Sequence, residues 1–408
     1  MPARDFDLVL FGASGFTGRL VAEVLHAWRS GGGALRWALA GRDPARLAAV
    51  RDALGAGEAL PLLWADARDA AALARLAART RAILSTVGPY QLHGEPLVTA
   101  CAHAGTDYVD LCGEPLWMAR MIRQLQAPAQ SSGARIVFSC GFDSIPFDLG
   151  VVFLQHAARE RLGAPLAEVH ATVRAMKGGF SGGTAASLLA TMEAVARDPA
   201  LARTLDDPFA LTPGFRGPPQ PDGDAAAWDE LVGCWSGPFV MAPINTKNVH
   251  RSNALRGHPW GRDFRYVERM GTGAGAAGRA GALALARASR WQRRLLAVAP
   301  TRALIRRWLL PRPGQGPDRA ARESGRYEIA LAGRGADGAV LRASVRGERD
   351  PGYGSTSRLV AHSALALLHE VDRAMTPGGV WTPGAAFGLR LVERLQAHAG
   401  LRFEVDEA

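Results

Sequence analysis

Short apolar runs alternate with amphipathic stretches over the first third of the chain. The runs at 7–11, 36–40, 61–64, 82–86, 108–111 and 135–139 read as strands. Between them, 18–29, 44–53, 70–78, 95–104 and 115–130 read as helices. Strand–helix alternation of this kind builds a parallel sheet, because each parallel pair needs a crossover, and the crossover helices cover both faces. The predicted fold is α/β, with a doubly wound parallel sheet at 1–145.

A mixed pattern follows to about residue 360. It is broken by two Pro/Gly-rich stretches, "LTPGFRGPPQPDGD" and "LLPRPGQGP", both read as surface linkers. Near the end, "LVAHSALALLHEV" predicts a strong helix and "TPGGVWTPGAAFG" a turn-rich loop. No internal repeat is visible. The length of 408 residues, 48% of them hydrophobic, suits two domains or one domain with a large insertion. No stretch of eighteen or more apolar residues predicts a membrane span, and the N-terminus carries no leader pattern. Cys101, Cys112, Cys140 and Cys234 form no CxxC pair, which predicts a reducing, cytoplasmic setting and no structural zinc.

The net charge of +10 is unevenly spread. Between 271 and 312 there are nine arginines and no acid, so the excess belongs to one local surface. Within it, Trp291, Leu295 and Val298 share one helical face and Arg287, Arg290 and Arg294 the neighbouring one. A second short helix adds Leu304, Ile305, Trp308 and Leu309. The plain reading is two helices covering a domain with their arginines in water. The alternatives are peripheral contact of 274–312 with an anionic membrane, or docking of an acidic acyl-carrier domain. No recognition motif or aromatic platform points to nucleic acid.

The stretch "LVLFGASGFTGRLVAEVL" carries Gly12, Gly15 and Gly18 between the first strand and the first helix. Glycines at this spacing permit a tight turn, close backbone approach to a pyrophosphate and close helix–strand packing. Unpaired N–H groups at the helix start then favour an anion. The alternative, a plain strand–turn–helix, ignores the repeated β/α context. The second strand leads into Gly41-Arg42 rather than an acid, and Arg pairs with a 2′-phosphate where an acid would repel it. The expected cofactor is therefore NADP(H). Asp66, after the third strand, is read either as an adenine contact or as a helix N-cap.

The segments "FGASGFTG", "AGRDPARL", "STVGPYQLHGEPLVTACAHAGTDYVDLCGE", "GFDSIPFDLG" and "GGFSGGTAASLL" resemble the saccharopine dehydrogenase-like oxidoreductases, and most of all their trans-acting enoyl reductase branch. The resemblance covers the first 190 residues and returns at "GGVWTPGAAFG". It implies a Rossmann-type domain at 1–145, an inserted α/β (α+β) substrate or dimerisation domain at 146–360, and C-terminal helices and a loop at 361–408 returning to the first domain. It also implies NADPH as reductant and a bacterial, lipid-building role, with an enoyl acyl chain as substrate. Carried over by motif, Gly12, Gly15, Phe16, Thr17 and Gly18 hold the cofactor, with Ala13 and Ser14 in the same loop. Arg42 takes the 2′-phosphate position, and Val87, Gly88, Pro89 and Tyr90 lie beside the nicotinamide ribose.

Reducing a carbon–carbon double bond needs a stabiliser for the enolate and a proton donor. Tyr90 and His93, after the fourth strand, are the candidates, against the plain reading of a backbone turn with Tyr90 packed beside the nicotinamide. Asp143 and Ser144, after the sixth, are candidates on the substrate side, or caps of the following helix. Lys177, beside the second glycine-rich loop "MKGGFSGGT", either helps bind a phosphate or carboxylate or marks a tight interdomain turn. Neither lysine has a Tyr four residues before it, which excludes Tyr-x-x-x-Lys chemistry. The leading reading is an NADPH-dependent enoyl reductase. Its rivals are an amino-acid or imine dehydrogenase and a lipid-associated binding protein without turnover; a homodimer is left open.

Overall fold

The computed structural model describes residues 4–178, 182–308 and 316–407. Six strands open the chain: β1 (Phe6–Phe11), β2 (Trp37–Gly41), β3 (Leu62–Trp64), β4 (Thr80–Ser85), β5 (Asp107–Asp110) and β6 (Arg135–Val137). They begin and end within two residues of the predicted runs, and the five predicted helices are equally close. All pair in parallel in the order β3-β2-β1-β4-β5-β6. β1 is buried along its whole length. Helices cover both faces, so its run is continuously apolar rather than alternating.

The second sheet is mixed. It contains β7 (Leu166–Lys177), β8 (Ala227–Asp229), β9 (Cys234–Pro238), β10 (Arg265–Gly273), β11 (Arg326–Gly335) and β12 (Val340–Glu348). β13 (Gly379–Trp381) then returns to the first sheet and pairs in parallel with β6, while β14 (Leu401–Val405) pairs with β12 at the edge of the second. The second sheet runs β14-β12-β11-β7-β10-β9-β8, and only its β7–β10 pair is parallel.

The end of the chain departs from its reading as helices and a loop. "TPGGVWTPGAAFG" holds β13 and the helix Pro383–Phe387. A strand of three residues is too short for periodicity to register, and only the tertiary pairing Val380↔Ile136 reveals it. The last residues thus serve both sheets. The tail helix, Thr356–His369, packs on Phe16–Ser30 and against β4 and β5. It is fixed by Arg135, which donates to the carbonyls of Leu367 (2.6 Å) and Val371 (2.8 Å) and pairs with buried Asp107 at 2.5 Å.

Candidate active site

The carboxyl ends of β1, β2, β4, β5 and β6 bring five loops to one edge of the first sheet, where ligands of doubly wound folds bind. Each glycine of the first loop is required for a different reason. Gly12 has φ of +89°, and a Cβ there would lie 2.6 Å from Val87 Cγ2. A Cβ on Gly18 would fall 2.1 Å from the Gly12 carbonyl oxygen, so this residue lets the helix close on the turn. Gly15 is the N-cap of Phe16–Ser30, which has no side-chain cap and no acid in its first turn. A tight turn followed by an uncapped helix start fits a pyrophosphate. The amides of Gly12 (2.9 Å) and Ala13 (3.3 Å) donate to Ala40 O, which sews the loop to β2. Ser14 Oγ lies 3.8 Å from the Cβ position of Gly41.

Arg42 is exposed, with no ion pair or hydrogen bond among the described residues, which fits a guanidinium held for a phosphate. Asp66 is not the helix cap: Asp69 caps Ala70–Ala78 through the amide of Ala72. Asp66 instead accepts from Arg68 N at 2.8 Å through one oxygen, and its second oxygen remains for a ligand. Phe16 spends its ring on the later part of the chain. It packs edge-on against Tyr353 at 4.7 Å, with the Arg322 guanidinium 5.6 Å from its centroid, so it docks the later domain onto the loop.

After β4, Thr86 Oγ1 donates to Gly12 O at 3.2 Å, Val87 packs over Gly12, and the Gly88–Pro89 peptide is cis. The short helix Tyr90–His93 follows. Tyr90 commits its hydroxyl to the backbone, which leaves it poorly suited to donate a proton. Its buried hydroxyl donates to Ser85 O (3.0 Å) and accepts from Leu111 N (3.1 Å). Burial, and then Asp110, push its pKa well above the usual phenol range. The ring packs against Trp117, not into the cleft. His93 is half-buried and its ring has no hydrogen-bond partner among the described residues.

Glu114 organises this corner, and the sequence reading gave it no role. Its buried carboxylate accepts from Tyr90 N (2.8 Å), Gln91 N (2.8 Å) and Ser187 Oγ (2.6 Å). Gln91 Nε2 reaches Thr191 Oγ1 at 3.2 Å. The loop after β4 is thereby locked to the helix Gly182–Arg197 of the second domain. Glu114 sits at the N-cap of Pro115–Ser132 without capping it, and sequence gives no signal that separates this role from an ordinary N-terminal acid.

Asp143 stands half-buried opposite the same helix, accepting from Thr184 Oγ1 at 3.4 Å, and burial raises its pKa to about 6. Ser144 occupies the N-cap position of Ile145–Leu162 without capping it. Its hydroxyl donates to Asn245 Oδ1 (2.8 Å) and accepts from Asn248 Nδ2 (3.0 Å), which removes it from the substrate side. Lys177 ends β7, exposed and in register with Arg326. Gly179, Phe180 and Ser181 of its glycine-rich loop lie outside the described residues, as do the side chains of Arg306, Arg307 and Trp308, and Leu309.

Residues 8–137 match the family described as saccharopine dehydrogenase NADP binding domain. A Mycobacterium tuberculosis protein provisionally named a trans-acting enoyl reductase is 45% identical over 97% of this chain and 96% of its own length. The trans-acting enoyl reductase of Mycobacterium ulcerans is 41% identical over 96% of both chains. Among solved structures, the L-Glu-forming saccharopine dehydrogenase of Saccharomyces cerevisiae superposes with a TM-score of 0.52 at 13% identity, covering 98% of this chain and 100% of its own. That likeness is one of fold.

Proposed function

Because this chain belongs to the saccharopine dehydrogenase-like oxidoreductases, in the branch of the trans-acting enoyl reductases, we propose that it reduces an α,β-unsaturated acyl intermediate of lipid or polyketide assembly, with NADPH as reductant. The observation that carries the substrate class is the charge of the cleft loops. Residues 86–94, 111–114 and 138–144 include no Arg and no Lys, and the facing helix Gly182–Arg197 has its one cation at the far end. An amino-acid or imine substrate of the saccharopine type presents carboxylates, which call for buried cations. A thioester-linked enoyl chain has no charge at the reacting carbons and asks for none.

The residues present fit the cofactor. The amides at the start of Phe16–Ser30 would hold its pyrophosphate, Arg42 its 2′-phosphate, and the second oxygen of Asp66 the adenine edge. Thr86, Val87 and Pro89 would bound the nicotinamide side. When bound, NADPH supplies the hydride. The chain's own work is then to bind and orient the acyl group, stabilise negative charge on the thioester oxygen and deliver a proton to the α-carbon. Two groups in the cleft have side chains left for that work. His93 can donate from its unpartnered ring. Asp143, with its pKa raised by burial, keeps its proton further towards neutrality than an ordinary carboxyl. Tyr90 and Glu114 are positioning residues that set the loop carrying His93.

The test is consumption of NADPH by the full-length chain with a medium- or long-chain trans-2-enoyl thioester, beside saccharopine-type imino acids and NADH. Turnover confined to the thioester with NADPH is expected. Turnover with imino acids alone, or no binding of NADPH, overturns the reading.

A further inference from the structure

The basic segment departs from its plain reading in one respect. Helices Gly275–Ala297 and Ala299–Trp308 do cover the second domain, and Arg279, Arg287, Arg290, Arg293 and Arg294 do face water while Arg302 is buried, but several large apolar side chains stand outside with them. The longer helix packs on β9 and β10, with Leu285 against Gly237, and its buried residues are Gly278, Ala282, Ala286 and Leu296. Three of these four buried residues are small, so most of the helix's large apolar side chains are not used in this packing. Outside stand Trp291 (61% exposed), Leu295 (47%), Val298 (51%) and, on the next helix, Leu304 (59%). At 100° per residue, Ala277, Ala284, Trp291 and Leu295 form one outward stripe. Arg279, Arg287, Arg290 and Arg294 form a second stripe beside it. Arg287 and Arg290 have no ion pair among the described residues, and Arg294 lies over the Trp291 ring at 5.7 Å.

We propose that this two-helix surface seats the protein on an anionic lipid bilayer, with Trp291, Leu295, Val298 and Leu304 entering the headgroup boundary and Arg287, Arg290 and Arg294 meeting lipid phosphates. Charge selects the occupant. A second copy apposed about a twofold axis would set arginines against arginines, which is repulsive. An acidic carrier domain would satisfy the arginines yet leave the apolar stripe, which spans two helices, without purpose. A bilayer with anionic headgroups satisfies both stripes at once. The seat is peripheral, since no helix among the described residues is long and apolar enough to cross a membrane.

The placement gives the seat a use. Helix Gly182–Arg197 touches both basic helices on one side and Tyr90–His93 on the other. The surface that meets the bilayer is therefore one helix away from the candidate cleft. The docking stands without the enoyl reading, and its readout, vesicle binding with circular dichroism as a sufficient fold control, needs neither cofactor nor substrate.

The test is co-sedimentation of the full-length protein with vesicles of equal parts phosphatidylglycerol and phosphatidylcholine, and with vesicles of phosphatidylcholine alone. Binding to the anionic vesicles only, weakened by salt, is expected. The triple variant Arg287→Glu, Arg290→Glu, Arg294→Glu should lower the bound fraction about tenfold or more. The independent variant Trp291→Ser, Leu295→Ser, Val298→Ser should do the same. NADPH binding and circular dichroism report whether each variant is folded. Absence of binding to anionic vesicles at low salt, or equal binding by wild type and both folded variants, overturns the proposal. So does a concentration-dependent dimer abolished by the apolar variant, which gives the surface to a second copy. Capture of an acyl-carrier domain that depends on the arginines alone, without vesicle binding, gives it to a protein partner.

Discussion

Gly18 sits where the first helix is pressed against its own turn, and a Cβ there would have to displace the Gly12 carbonyl. Forced overpacking of this kind costs roughly 1–3 kcal/mol and moves backbone. Here the backbone that moves is the wall of the proposed pyrophosphate site. Gly18→Ala should therefore lower Tm and weaken NADPH binding about tenfold or more, read by calorimetric titration; unchanged affinity would remove the turn from the cofactor site. Arg42, if it holds the 2′-phosphate as proposed, separates the two nicotinamide cofactors. Arg42→Ala should raise the KM for NADPH about 10- to 100-fold and leave that for NADH in place, since hydrogen bonds to charged groups are worth about 1.5–3 kcal/mol. An equal change for both cofactors would put the 2′-phosphate elsewhere. The glycines of the turn were legible because glycine announces backbone freedom locally, and an arginine in place of an acid is the local signal behind the proposed 2′-phosphate contact. Tyr90 and Ser144 were misread for the opposite reason. Their hydroxyls are spent on Ser85, Leu111, Asn245 and Asn248, partners up to 104 positions away, and sequence spacing does not reveal such contacts.

At the scale of elements, the first six strands of the parallel sheet were legible to within two residues, because each is centred on a short apolar run. β13 and β14 were not, since what makes them strands is the exposed edge each one finds in a different sheet. The clamp between domains was equally hidden. Glu114 joins the short helix Tyr90–His93 to Gly182–Arg197 through two amides and the Ser187 hydroxyl. Glu114→Gln leaves one acceptor oxygen for donors that now use two. Losing such bonds costs about 1–3 kcal/mol. Tm should fall, and kcat should fall more than the KM for NADPH, because the proposed phosphate contacts lie on other loops and only the nicotinamide end rests on this one. A double-mutant cycle with Ser187→Ala should show coupling, and additive effects would mean that the two residues act independently. A second tie is the buried pair of Asp107 with Arg135. Asp107→Ala would strand the buried Arg135 charge, a loss of about 3–5 kcal/mol. It should also loosen the tail helix, whose last carbonyls Arg135 holds, and faster amide exchange in 366–371 would report it.

Over the whole molecule, a polar seam runs from the first sheet into the second. Ser144 bonds Asn245 and Asn248, Asn245 Nδ2 donates to Glu268 on β10 at 2.7 Å, and Tyr266 OH donates to the same carboxyl at 2.9 Å. Burial raises Glu268 to about 8, and burial raises Asp110, at the end of β5, to about 7. A carboxyl whose pKa is raised on folding keeps its proton while the unfolded chain ionises, so stability falls as pH climbs from the unfolded value to the folded one. For Asp110 that window runs from 3.8 to about 7, and for Glu268 from 4.5 to about 8. His250 and His362, lowered to about 3 by burial, act in the opposite sense below 6.5. Lys247, lowered to about 8 by burial, does so only above that value. The carboxyls therefore act least opposed between 6.5 and about 8, where Tm should decline. Asp110→Asn isolates one contribution. Its Oδ1 still accepts from Cys112 N and Ser139 N, and its amide nitrogen can donate to Tyr108 OH, which reverses the present bond. The variant should match wild type near the unfolded value of 3.8 and gain on it steadily up to about 7, with a constant margin beyond. Scanning calorimetry of both proteins across that range reads the margin directly, and a margin that does not change with pH would mean that Asp110 is ionised in the folded protein throughout.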